Sequence, residues 1–138
     1  MTVNVRNDLA EIPRLGLLVS QFWIERRLPP EGEQDVSLAI EELVANVITH
    51  GYPRGGEHEI FVQLSEQDGQ VLVELEDDGV PFNPLQAPPP DINAPLENRP
   101  VGGLGIHLVR HVMDDLQYER SGGRNRLLLK KRVGGQQP

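Results

Sequence analysis

The stretch IEELVANVITHGY, residues 40–52, carries two patterns on one helical period. Ile40, Leu43, Val44 and Val47, with Val36 before them, recur at the spacing of a helix face turned to a core. Residues four apart lie about 40° apart around a helix, so Glu42, Asn46 and His50 fall on one line while Glu41 points away from Asn46. The spacing predicts a helix from about Glu33 to His50, with Gly51 where a C-terminal cap belongs. An asparagine oxygen is a hard ligand suited to magnesium, and a carboxylate one turn away can hold a water or accept a proton. The same residues also describe a solvated polar face.

Working outward, VNVRN (residues 3–7) reads as a short strand, followed by a helix that Asn7 or Asp8 caps and that runs to about Arg27. Leu9, Ile12, Leu15, Leu18, Val19 and Phe22 keep its helical spacing, and Pro13 moves its start toward Ile12, because proline is tolerated only in a first turn. EIFVQLS (59–65) and QVLVELE (70–76) alternate with period two around EQDGQ, whose Asp-Gly predicts a hairpin. GGLGIHLVRHVMDDL (102–116) opens on glycines and becomes a helix burying Leu104, Leu108, Val109 and Val112. QYERS and NRLLLKK close a second hairpin around GGR, and residues 134–138 read as a frayed end. Helices with one apolar face, set against strands joined by hairpins, predict an α+β fold. It is a two-layer α/β sandwich whose mixed, mostly antiparallel sheet is covered on one face by helices. Residues 1–133 read as one domain.

At 138 residues without a cysteine, the chain can bury roughly 68–70% of its unfolded surface and needs no disulfide or thiolate metal site. Absence of thiol chemistry suits a reducing cytoplasm. No basic, apolar leader opens the sequence, and no run approaches the ~20 apolar residues of a membrane span. A formal charge of -8 disfavours nucleic acid and requires that any phosphate be gripped locally.

Two further polar islands stand out. In LEDDGVPF (75–82) a strand ends on Asp-x-Gly, which places Asp77 at a sharp turn. A buried carboxylate there can accept from an exocyclic amine, and Gly79 permits a close backbone approach. In VGGLGIHLV (101–109) glycines precede a helix whose free N–H groups attract phosphate. Taken alone, the first is also an acidic turn and the second a helix that begins with glycine. Between them lies a Pro-rich segment, about 83–101, too long for an ordinary connection and expected to be a lid or a disordered insert. His107 and His111 have a spacing that can bind zinc, yet the protease-type glutamate is missing between them and no cysteine is available, so surface histidines are expected.

Three islands in this order, EELVANVITHGY, DDGVPFNP and GGLGIHLV, resemble the ATP-binding family shared by histidine kinases, gyrase and MutL. Within it they look most like the anti-sigma-factor serine-protein kinases. The resemblance implies the histidine-kinase-like ATPase fold and ATP with Mg2+ as cofactors. It implies Asn46 as the magnesium ligand, Glu42 as the base that activates an attacking hydroxyl, and Asp77 as the acceptor of the adenine amine with Gly79 clearing room for the ring. Gly103, Leu104 and Gly105 would turn amides to the phosphates, and Arg99 is the one basic lid residue that could reach them. A sigma factor and a small antagonist phosphorylated on Ser or Thr are the implied partners, with a homodimer and neither nucleic acid nor membrane. Two positions depart from the family pattern. Pro81 stands where a second glycine is usual, and the last strand lacks the threonine that often supports adenine, with Arg124 and Asn125 there instead. A binding module that sequesters a partner without phosphotransfer is the competing expectation, and a fold relic without nucleotide is a third.

Overall fold

The computed structural model describes residues 1–86 and 103–133. Strand β1 (Thr2–Arg6) leads through a 3-10 turn at Leu9–Glu11 into α1 (Ile12–Glu25), and α2 (Glu33–His50) follows. The hairpin β2 (Glu59–Gln67) and β3 (Gln70–Asp77) comes next, then a 3-10 turn at Pro84–Gln86, α3 (Gly103–Val112), and the hairpin β4 (Asp115–Ser121) and β5 (Arg124–Arg132). The strands form one sheet in the order β1-β2-β3-β5-β4. All four pairings are antiparallel, so the parallel component allowed by a mixed sheet does not occur among the described residues.

Local chemistry accounts for most element ends. Pro13 sits in the first turn of α1, so the helix begins at Ile12, and Leu9 is left exposed on the preceding turn. Asp68-Gly69 and Gly122-Gly123 hold positive φ, the backbone that a two-residue hairpin turn of matching twist requires. Helix α3 stops at Val112, short of the predicted end. Asp114 donates its N–H to the Lys130 carbonyl, and Asp115 and Leu116 pair with Lys130 and Leu129 as the start of β4.

The core lies between the sheet and the three helices. Helix α2 is central to it and buries Val36, Ala39, Ile40, Leu43, Val44 and Val47 against Phe22, Ile60, Val73, Leu75 and Leu129. Each large aliphatic group so buried contributes about 1.5–3 kcal/mol relative to exposure. On α3 the inward residues are Ile106 and Val109, with Met113 just beyond its end, whereas Leu108 is 42% exposed and Val112 only partly covered. The predicted face is therefore rotated. Gly105 packs on Glu42 of α2, and that contact fixes the phase of the helix.

Candidate nucleotide site

The site is assembled from α2, the end of β3, the start of α3 and β5, the last strand in the chain. Asn46 is only 6% exposed. Its Nδ2 donates to the Glu42 carbonyl at 2.8 Å, and among the described residues its Oδ1 has no donor. An acceptor buried without a partner costs free energy unless a ligand, ion or water takes it. Glu42 lies one turn before Asn46 as the helical period requires, and its carboxylate fills the space beside Gly105. A Cβ on Gly105 would overlap Glu42 Oε2 and stand 2.8 Å from its carboxyl carbon. Glu42 thus borders the first turn of α3, where Gly103, Leu104 and Gly105 open the helix. Glu41 faces α1 instead, beside Gly16 and Ser37, and burial followed by repulsion from Glu42 raises its pKa.

Asp77 ends β3 and is 4% exposed. Its Oδ1 accepts two hydrogen bonds, from the Gly79 N–H at 2.8 Å and from Asn125 Nδ2 at 3.0 Å. No described residue donates to Oδ2. Burial pushes the Asp77 carboxyl up, opposed by the donors from Asn125 and Gly79 and by Arg120, while Asp78 adds to the rise. Asp78 turns out to solvent. Desolvation raises it, yet bonds from His58 and Tyr52 outweigh that and leave its pKa lowered. The two adjacent aspartates therefore differ in kind, and only Asp77 faces the interior.

Gly79 gives room of a particular sort. A Cβ there would come within 2.6 Å of the Gly51 carbonyl oxygen, which accepts from the Val80 N–H at 2.9 Å. The glycine lets the turn after β3 lie directly on the C-terminal end of α2. Gly51 caps α2 with a right-handed backbone, φ −80°, so its place owes more to this approach than to a left-handed cap.

Asp77, Asn46 and Asn125 line one cavity with Leu43, Val47, Gly51, Val80, Phe82, Pro84 and Leu127. Its volume is about 10 Å³, room for one water. Phe82 and Pro84 occupy the outer side, and the Phe82 ring stacks on His50 at 5.0 Å. His50, the third member of the α2 polar line, thereby supports the segment that covers the cavity.

Asn125, Tyr118 and Arg120 were not singled out as site residues by sequence reasoning. Asn125 pairs across the sheet with Asp77, 48 residues away in the chain. Its Nδ2 also donates to the Val80 carbonyl at 2.9 Å, its Oδ1 accepts from the Tyr118 hydroxyl, and Arg120 donates to the Gly79 carbonyl at 2.7 Å. Only the departure from threonine hinted at Asn125. The expected lid falls largely outside the described residues, as do Arg99 and the C-terminal end; its first residues, Asn83 to Gln86, form an Asn-capped 3-10 turn. His107 and His111 are exposed on α3, and no cluster of three metal-ligating side chains occurs among the described residues. No described helix is long and apolar enough to cross a membrane.

Known proteins resemble this chain in sequence and in fold. The serine/threonine-protein kinase BtrW of Bordetella bronchiseptica is 31% identical over 94 residues, covering 68% of this chain and 66% of that protein. The serine-protein kinase RsbW of Bacillus mycoides is 35% identical over 102 residues, 70% of this chain and 62% of that one. The match therefore spans less than two-thirds of either relative's length. Among solved structures, the RsbU and RsbW domains of a Mycobacterium tuberculosis protein superpose with a TM-score of 0.64 at 14% identity, over 96% of this chain and 32% of that one. The histidine kinase domain of an Erythrobacter litoralis blue-light-activated kinase gives 0.57 at 16% identity, over 91% and 60%, so both speak to the fold. The profile of the histidine kinase-like ATPase domain matches residues 5–131, nearly the whole chain, which belongs to that family.

Proposed function

We propose that the chain is an ATP-dependent serine/threonine-protein kinase that acts as an anti-sigma factor in bacterial partner switching, holding a sigma factor and phosphorylating a small antagonist. One observation supports this reading most: two buried acceptors without a described donor, Asn46 Oδ1 and Asp77 Oδ2, belong to residues lining the same cavity. Asp77 would take the exocyclic amine of adenine. Asn46 Oδ1, hard and without a donor among the described residues, suits a magnesium ion, which when bound neutralises phosphate charge. The amides of the opening turn of α3, Gly103 to Gly105, have no partner within the helix and would serve the phosphates. Glu42, between Asn46 and that turn, would accept the proton of a serine hydroxyl as its oxygen bonds the γ-phosphorus. The bond from phosphorus to the β–γ bridging oxygen breaks, and ADP leaves. The acidic net charge is compatible with this, since amides and a metal grip the phosphates.

Cavity size adds a requirement. Adenine cannot enter a space for one water, so Phe82 and Pro84 must give way on binding. A homodimer in the cytoplasm, acting without nucleic acid or membrane, and with residues 1–133 as the working domain, belongs to the same reading.

Phosphotransfer to the antagonist by wild type and Glu42→Gln separates this from a module that only sequesters a partner. Glu42→Gln is expected to keep ATP affinity within about twofold and to lose transfer by at least ~100-fold, the usual worth of a general base. Unaltered transfer would remove Glu42 as the base; absence of transfer in wild type would favour sequestration.

A further inference from the structure

The carboxylate of Asp77 selects a ligand only if it stays ionised and keeps Oδ2 free. Two donors on Oδ1 favour both, against the burial that raises the pKa. Asn125 Nδ2 has two hydrogens and faces acceptors alone, Asp77 Oδ1 at 3.0 Å, the Val80 carbonyl at 2.9 Å and, farther off, the Gly79 carbonyl at 3.4 Å. At the other end of the amide, Oδ1 meets the Tyr118 hydroxyl, which donates to it. Flipping the amide would set its oxygen against a carboxylate and a carbonyl, so a single orientation satisfies every partner. The relay runs one way, from the Tyr118 hydroxyl through the Asn125 amide to Asp77. With Gly79 N–H as the second donor, Oδ1 is saturated and, among the described residues, Oδ2 is the acceptor left over.

We propose that Asn125, oriented by the acceptors around its nitrogen and anchored at its oxygen by Tyr118, is the positioning residue that makes this site accept a 6-amino purine and reject a 6-oxo purine. The inference rests on the ATP reading above and deepens it. A 6-amino group donates to an ionised carboxylate. A 6-oxo group offers a second acceptor to the same oxygen, and two buried acceptors face to face leave both unpaired. Without the Asn125 donor, burial acts on Asp77 with less opposition, and the protonated acid could donate to the oxo group instead. Tyr118 enters because its hydroxyl satisfies the amide oxygen, and without it Asn125 is anchored only through its nitrogen and can draw back from Asp77. Both residues stand across the sheet from Asp77 or one strand further, at register positions that sequence separation conceals.

The test is the ratio of affinities for ATP and inosine triphosphate, which differ at the 6-position, in wild type, Tyr118→Phe and Asn125→Asp. Wild type is expected to prefer ATP by ~100-fold or more, as sites built on a hydrogen bond do. Tyr118→Phe removes one hydroxyl from a half-buried ring and should lower the ratio about tenfold. Asn125→Asp removes the donor and sets a second carboxylate beside Asp77, which favours its protonation, so the ratio should fall toward one as the pH is lowered. Equal weakening of both nucleotides in both variants, with the ratio kept, would assign Asn125 and Tyr118 a merely structural role and overturn the inference. Failure of wild type to bind either nucleotide would overturn the ATP reading, and the inference with it.

Discussion

Asp77 holds a charge where burial opposes one, and stability against pH should record it. Its pKa in the folded chain is raised above the ordinary 3.8, chiefly by burial, so the folded state binds the proton more tightly than the unfolded state does. Stability attributable to this group is therefore greatest below 3.8 and falls as pH rises through the window up to the raised value, then stays level. In Asp77→Asn the amide oxygen can accept the same two bonds from Gly79 and Asn125, and no charge is buried. The variant is expected to gain stability relative to wild type across that window and to lose ATP binding at neutral pH. Denaturant melts from pH 3 to 7 measure the difference, and a difference independent of pH would contradict the account. At this scale the sequence was informative about type and poor about partners. Asp77, Asn46 and Glu42 were legible because motif and helical period place them. Asn125 was not, because its role comes from a strand pairing 48 residues distant in the chain.

At the scale of elements, the segment from Val80 to Gln86 is the piece whose position governs access. Val80 is bonded to Gly51 and Asn125, Phe82 stacks on His50, and Pro84 is buried at the cavity. A ligand that needs this segment displaced binds with an apparent affinity reduced by the fraction of time it is open. Phe82→Ala should therefore tighten apparent ATP binding by about two- to tenfold, the worth of one aromatic stack. Weaker binding would mean that Phe82 instead supports the base. Helices α1 and α2 and both hairpins could be read from periodicity and turn residues, since those signals are local. Two features of α3 could not. Its last residues were drawn into β4 by pairing with β5, and its buried face was set by the contact of Gly105 with Glu42, which no local pattern encodes.

For the whole molecule, one sheet and three helices put three chain segments around one cavity, and α2 serves both as core and as the edge of the site. The order β1-β2-β3-β5-β4 brings the two hairpins together through β3 and β5, which is what sets Asn125 beside Asp77. Strand order escapes sequence reading because alternation tells which face of a strand is buried and not which strand lies next to it. The layer architecture was legible, since amphipathic helices and hairpins leave few other ways to bury their apolar faces. The central claim is that these segments form a magnesium-dependent adenine nucleotide site. Its most direct test is a thermal-shift titration with ATP and GTP, each with and without magnesium, on wild type and Asn46→Ala. The account predicts a rise in melting temperature with ATP over GTP, increased by magnesium in wild type, with the magnesium increment lost in Asn46→Ala. No shift of wild type at millimolar ATP would contradict it.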